Sequence, residues 1–176
     1  MICHQPITIL FLKEEEDVSL ASFISYLRSM PHIRLSEIPQ IPQELGSYDI
    51  VITCNARHSD TTIDRLTQFV IAGGGWLTFV NLSEHPLPQI FGVQQDPLGP
   101  AAELRVLFEN AAHPLAARLP NAAYLKGCYQ ALSKSAEDTE TILYADWQYS
   151  HRSVLTHRRV GQGNVACTSL QAYSHP

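Results

Sequence analysis

Blocks of apolar and amphipathic sequence over the first 80 residues predict strand, helix, strand, strand, helix, strand. Ile7 to Leu12 is almost continuously apolar or β-favouring, which is typical of a parallel strand covered on both faces. Apolar residues at i, i+3, i+4 and i+7 from Leu20 to Leu27 predict one helical face. Pro31 closes this helix, and a second strand is predicted from Ile33 to Ile38.

The clearest unit is a strand, a helix, a triple glycine and another strand. Asp49 to Cys54 predicts a buried strand, and Ser59 or Asp60 is expected to cap the helix that follows. Gly73-Gly74-Gly75 ends the helix, because a left-handed residue and a sharp reversal require backbone without Cβ. Trp76 to Val80 is the next strand, so the segment predicts a right-handed βαβ unit with parallel strands.

The second half of the sequence is richer in strands. One helical turn at Ile90 is predicted to end at Gly92, and Gly161-Gln162-Gly163 indicates a hairpin. Further strands are predicted at Leu104 to Phe108, Tyr124 to Leu132, Thr141 to Ala145, Ser153 to Arg159 and Asn164 to Ser169. The pattern predicts one α/β domain over residues 1–176, with a mostly parallel, doubly wound sheet, helices on both faces and an added β-rich C-terminal segment.

Composition narrows the classes of function. A hydrophobic fraction of 45% with 16% charged residues is normal for a globular interior. A formal charge of -5 without a basic cluster disfavours nucleic acid as a partner. Because the apolar runs are far shorter than the ~20 residues that span a bilayer, and no secretion signal is recognisable, we expect a soluble cytoplasmic protein without membrane contact.

The four cysteines do not form a recognisable metal or disulfide motif. Cys3, Cys54, Cys128 and Cys167 are widely spaced, without a C-x-x-C pair. We therefore expect four reduced thiols, no metal site and no cofactor.

Candidate chemistry lies in the loops after the strands, because open parallel sheets bind ligands at the carboxyl ends of their strands. The loop Lys13 to Asp17 carries four consecutive carboxylates, which disfavour a bound nucleotide phosphate and suit the first turn of a helix. A receiver domain would need an aspartate where this chain has Cys54 and Asn55. The ligand-binding candidates in the next two loops are Asn55, His58, Asn81, Ser83 and His85.

A hydrolase is the alternative interpretation of the same loops. Ser83 with His85 is the nucleophile and base pair that the fourth loop offers, with His58 facing it from the third. Residues two apart rarely align for proton transfer, and Ser83 is equally suited to cap a short helix before Pro86. No glycine-flanked nucleophile elbow is recognisable, so the residues favour a protein that is not an enzyme. His113 and His157 are expected to have structural roles.

Several segments resemble the trehalose-utilisation (ThuA-like) family of the class I glutamine amidotransferase-like fold. They run in order from Tyr48–Ile52 through Leu66–Gly75 and His113–Pro120 to Val160–Leu170. The stretch Leu87–Val93 is also similar to the amidotransferase-like trimerisation domain of certain β-galactosidases. Both resemblances imply a flavodoxin-like core with an added β-rich segment.

The departures from the ThuA-like pattern bear on activity. After the fourth strand the family usually has a histidine, whereas this chain has Phe79-Val80-Asn81. At the end of the last strand the family usually has Leu-Gly-His, whereas this chain has Leu170-Gln171-Ala172. The resemblance therefore implies a non-catalytic domain that binds a partner or a small ligand, sugar-related if the first family is the guide. Relatives continue into a further C-terminal helix, so the resemblance also implies a homo-oligomer or a larger assembly that covers the sheet.

Overall fold

Two α-helices and eleven strands, with two short 3₁₀-helices at Gln89–Phe91 and Ala116–Arg118, make up the regular structure of the described residues. The structure is a computed structural model and describes residues 5–12, 21–54, 58–80, 86–100, 102–118, 122–127, 130–147 and 150–170. The α-helices are α1 (Ala21–Ser29) and α2 (Asp60–Ile71). The strands are β1 (Ile7–Leu12), β2 (Ile33–Ile38), β3 (Ile50–Cys54), β4 (Gly75–Phe79), β5 (Val93–Gln95), β6 (Ala102–Phe108), β7 (Ala123–Gly127), β8 (Leu132–Lys134), β9 (Glu140–Trp147), β10 (Ser150–Val160) and β11 (Gly163–Thr168).

The first four strands form the predicted parallel arrangement. Their order is β2-β1-β3-β4, and each neighbouring pair is parallel. The crossover through α2 places β4 directly beside β3, with Ile50 opposite Gly75 and Cys54 opposite Phe79. The βαβ unit that the sequence predicts is confirmed.

Each described α-helix packs on a different face of these parallel strands. Ile24 and Leu27 of α1 share a buried cluster with Ile9 and Phe11 of β1. Leu66 and Val70 of α2 belong to the cluster that contains the alternate residues Leu10 and Leu12, together with Val51 and Trp76. Since successive side chains of a strand point to opposite faces, the unbroken apolar run of β1 is buried on both. None of the helices within the described ranges is long and apolar enough to cross a membrane.

The other half of the sheet is antiparallel, which corrects the predicted architecture. β11 pairs parallel to β4, and beyond it β10, β9, β6 and β7 follow in antiparallel order. Antiparallel pairings outnumber parallel ones, and α-helices are described only beside the parallel strands. A mostly parallel sheet with helices on both faces is therefore wrong as a description of the whole sheet. Apolar runs identify strands but do not encode their direction.

The segment from Tyr124 to Leu132 is also not one strand. It contains β7, which pairs with β6, and β8, which pairs with β5 and with Ser153 of β10. β5 follows Gly92, whose left-handed φ of 64° ends the predicted helical turn Gln89–Phe91. Three-residue strands such as β5 and β8 are too short to show a period of two, so only the tertiary pairing reveals them.

The C-terminus of α2 is closed by the triple glycine. The Gly74 N–H donates to Phe69 O at 3.0 Å and the Gly73 N–H to Val70 O at 2.9 Å, while Gly73 has a φ of 117°. This pair of bonds is the Schellman motif, in which glycine takes the left-handed position without a steric penalty. At the other end, Ser59 is confirmed as the N-cap, since its Oγ accepts from the Thr62 N–H at 3.2 Å.

The hairpin between β10 and β11 contacts this helix end through backbone atoms. The Gln162 N–H donates to Ile71 O at 3.1 Å, and the Asn164 N–H donates to Gly74 O at 3.2 Å. A Cβ on Gly163 would lie 2.2 Å from both Gly74 O and Val70 O. Glycine at 163 is therefore required for the approach that seats β11 beside β4.

We expect Gly163→Ala to lower the free energy of unfolding by about 3 kcal/mol or more, because two backbone carbonyls would have to move away from the new methyl group. Gly46→Ala is the matched control, since no atom lies within 4 Å of a Cβ there, and its effect should stay within about 0.5 kcal/mol. Urea unfolding followed by circular dichroism measures both. Equal stabilities for the two variants would contradict the proposed close contact.

Candidate functional site

The carboxyl ends of the parallel strands lie level at one edge of the sheet. Cys54 of β3 is opposite Phe79 of β4, and Phe79 is opposite Thr168 of β11. Val80 continues the alignment, because its N–H donates to Thr168 O at 2.8 Å. In open α/β sheets this edge is where ligands bind, so the residues after β3, β4 and β11 are the ones that can meet there.

The residues proposed from the sequence fall mainly outside the described part of the chain. Asn55, Asn81, Ser83 and His85 lie outside the described residues. His58 is described: it is half-buried and immediately precedes the N-cap Ser59 of α2. His58 is therefore the one candidate that is described at this edge. The other groups described there were not among the candidates predicted from the sequence.

Buried hydroxyl and indole groups lie behind this edge. The Trp76 Nε1–H donates to Thr53 Oγ1 at 2.9 Å, and the Thr53 hydroxyl donates to Thr78 Oγ1 at 3.0 Å. Thr53 and Thr78 are 0% and 3% exposed, so these bonds satisfy polar groups that water does not reach. The bond between the two threonines links β3 to β4.

Ser169 is the residue at this edge that the sequence interpretation missed. It follows the last residue of β11, is 3% exposed, and its N–H donates to Val154 O at 2.9 Å. Its hydroxyl is buried and has no hydrogen-bond partner in the structure as described. Leaving such a group unsatisfied costs about 1 to 3 kcal/mol, which native structures rarely tolerate without a functional or solvent partner.

The buried Cys167 thiol near the edge is not poised for nucleophilic chemistry. Cys54 and Cys167 are both buried and reduced, as the sequence predicts, while Cys3 and Cys128 lie outside the described residues. Burial raises the pKa of the Cys167 thiol far above its ordinary value. Cys167 therefore stays protonated at neutral pH and packs as a small apolar side chain in the core cluster.

Three described histidines away from the edge have local partners. His113 Nδ1 accepts from the Leu115 N–H at 3.2 Å, and His157 Nε2 lies 3.0 Å from Asn164 Oδ1, in line with the expected structural roles. His151 Nε2 lies 2.5 Å from Glu109 Oε2, and its ring stacks on Tyr144 with centroids 3.8 Å apart. Within the described ranges, no three His, Cys, Asp or Glu side chains are grouped as a metal site would require.

A cavity of about 800 Å³ lies beside β5. Its described lining begins at Pro86, directly after the loop that contains Ser83 and His85, and continues through β5 to Gln130 and Ser135. Most of the polar side chains that line the cavity are glutamines. Periodicity did not point to this site, because its walls are formed by short strands and connecting segments.

Parallel strands with a βαβ crossover, level carboxyl ends and an antiparallel extension define an α/β domain with a mixed sheet.

The sequence matches no protein-family model and no curated protein. Solved structures do match this fold. A ThuA-like protein of Bacteroides uniformis has a TM-score of 0.71 over 96% of this chain and 83% of that protein, at 13% identity.

Two larger proteins contain a similar part. A β-galactosidase of Bacillus circulans sp. alkalophilus has a TM-score of 0.62 at 13% identity, over 94% of this chain and 28% of that protein. The carbohydrate deacetylase Agd3 has a TM-score of 0.67 at 14% identity, over 94% of this chain and 29% of that protein. These structures fall into the two groups that the sequence resembles, together with a deacetylase. At such identities the likeness shows that the chain shares their fold.

We expect Ser169→Ala to leave the free energy of unfolding unchanged or to raise it by about 1 kcal/mol, because it removes a buried hydroxyl that bonds to no protein group. Thr168→Val is the matched control at the neighbouring position. It deletes the hydroxyl that donates to Val154 O at 3.1 Å, and should lower stability by about 1 kcal/mol. Urea unfolding of the three proteins measures the difference. A loss above about 1 kcal/mol in Ser169→Ala would show that its hydroxyl has a structural partner.

Proposed function

We propose that residues 1–176 form a single non-catalytic domain, ThuA-like and flavodoxin-like. This domain binds a small ligand or a partner at the carboxyl edge of its parallel strands. The Ser169 hydroxyl carries this proposal, because it is buried, lacks a hydrogen-bond partner and lies at the end of β11 beside the exit of β4. A ligand atom that bonds to this hydroxyl would satisfy it, at a position where the protein supplies no partner. His58 and the loop residues Asn55, Asn81, Ser83 and His85 are the proposed surroundings.

The chemistry of the described edge supports binding over catalysis. Thr53 and Thr78 are engaged with each other and with Trp76, and the buried Cys167 thiol stays protonated. A nucleophile needs an adjacent base or a lowered pKa, and these groups have neither. Two buried reduced thiols also support the proposed cytoplasmic location, where thiols are kept reduced.

The competing function is a hydrolase that uses Ser83 and His85 with His58. The fold is compatible with it, since a carbohydrate deacetylase shares the fold. The two functions differ in whether a bound compound is turned over, which makes them separable by experiment.

A hydrolysis assay distinguishes the binding domain from the hydrolase. It measures the rates of p-nitrophenyl acetate and acetylated-sugar hydrolysis by the wild type, Ser83→Ala and His58→Ala. We expect equal rates for all three, at the level of a buffer control, because the buried thiol and hydroxyl groups of the described edge are not activated as nucleophiles. Wild-type turnover that falls by about 100-fold or more in both variants would establish the hydrolase, since general base catalysis contributes about that much.

We extend the proposal to assembly through the edge strand β7. β7 is the last strand of the sheet order, and Ala123 to Lys126 are all exposed. Tyr124 is 66% and Leu125 39% exposed, on opposite faces of that strand. An exposed edge strand with apolar side chains is a template for pairing with a second copy of the same strand. We therefore propose a homo-oligomer in which β7 of two copies pair.

Light scattering of the wild type should give a multiple of 19.6 kDa, and the double variant Tyr124→Ser with Leu125→Lys should return it to the monomer mass. Tyr26→Ser is the matched control, because Tyr26 is 60% exposed on α1, on the other half of the molecule, and should keep the oligomer. A wild-type mass of one chain would refute assembly through β7.

A further inference from the structure

The cavity beside β5 and β8 has the dimensions of a small-molecule site. Its volume of about 800 Å³ lies within the ~300 to 1,000 Å³ typical of such sites. The polar side chains that line it are Gln89, Gln94, Gln95, Asp96, Gln130 and Ser135. Leu87, Val93 and Leu98 supply apolar surface to the same walls. Amides and aliphatic groups therefore line the same concave space.

The one ionisable side chain among the described lining residues is already neutralised. Asp96 Oδ1 accepts from the Ser133 hydroxyl at 2.6 Å, and Asp96 Oδ2 accepts from Arg152 Nη1 at 3.1 Å. The Asp96 N–H is also engaged, since it donates to Ala131 O at 2.9 Å. With its carboxylate paired, this wall favours neither a cationic nor an anionic ligand.

The amides of the cavity retain most of their hydrogen-bonding capacity. Gln95 Nε2 donates to Gln130 Oε1 at 3.5 Å, and Gln130 Nε2 donates to Asp96 O at 3.4 Å. Both distances are at the long limit for N–H···O bonds, which are strongest near 2.9 Å. Each amide has two N–H donors and a carbonyl oxygen with two lone pairs, so one long bond leaves most of them available. A ligand that both donates and accepts can replace these bonds with shorter ones.

We propose that this cavity binds a neutral sugar of one or two rings. A sugar hydroxyl is both a donor and an acceptor, as a glutamine amide is, so a set of hydroxyls can be matched by Gln89, Gln94, Gln95 and Gln130. The aliphatic side chains of Leu87 and Leu98 provide the apolar contact that the C–H faces of a sugar ring need. The inference goes beyond the proposed function, since it assigns a ligand class to a second binding region, away from the carboxyl edge.

The test is a titration of the wild-type protein with glucose, galactose and lactose, followed by NMR of the ¹⁵N-labelled side-chain amides. We expect the glutamine amide signals of the cavity to shift together and to saturate. The double variant Gln95→Leu with Gln130→Leu should bind about 25-fold more weakly, because two hydrogen bonds are lost. Gln68→Leu is the matched control: Gln68 lines a separate cavity beside α2, and this variant should bind as the wild type does.

Two charged analogues test the ligand class. Glucuronate and glucosamine should bind no better than glucose, because the Asp96 carboxylate is paired and the amides are neutral. A preference of tenfold or more for either analogue would overturn the neutral-sugar assignment.

The remaining outcomes separate this inference from the proposed function. Sugar binding that is equal in the wild type and in the glutamine double variant, and that weakens in Ser169→Ala, would overturn the cavity assignment and support binding at the carboxyl edge. No amide shift with any of the three sugars at 50 mM (roughly 50-fold above a 1 mM Kd) would also overturn the cavity inference. Binding of some other small ligand that Ser169→Ala weakens would then still support the proposed function.

Discussion

The close approach of two glycine-containing turns is the constraint on which the rest of the structure depends. The last carbonyls of α2 have no partner within the helix, and the Gln162 N–H of the hairpin between β10 and β11 donates to one of them, Ile71 O. The Asn164 N–H donates to Gly74 O, in the glycine turn that follows the helix. Glycine at 163 lets the two backbones meet, since any Cβ there would overlap the carbonyls of Val70 and Gly74. This contact fixes β11 parallel to β4 and so joins the parallel and antiparallel halves into one sheet.

The alignment of β4 and β11 also determines where polar groups meet. Because Phe79 is opposite Thr168, the exits of both strands lie level, and Ser169 follows directly on the residue whose carbonyl accepts from the Val80 N–H. The proposed binding region at the carboxyl edge is therefore a consequence of how β11 is seated, even though Val80 and Ser169 are far apart in the sequence.

The candidate site was less predictable than the fold, and for a physical reason. The sequence directed attention to titratable side chains in the loops after β3 and β4, of which His58 alone is among the described residues. Ser169 looks like an ordinary serine after a strand, and its buried, unpartnered hydroxyl exists only once β11, β10 and the core have packed. Gln95 and Gln130 are 35 residues apart, and only the pairing of β5 with β8 brings them together. Side chains without charge or periodicity give no local signal of a site.

The sequence by itself determined the local elements: the apolar run of β1, the amphipathic face and caps of α2, the triple glycine, and the turn between β10 and β11. These follow from short-range properties, namely side-chain periodicity and the backbone freedom of glycine. Only the tertiary structure decided strand direction and neighbours, including the split of residues 124–132 into β7 and β8 and the antiparallel half of the sheet. Pairing depends on hydrogen bonds between distant backbone groups, which every residue but proline can make, so the identity of the residues does not specify the partner.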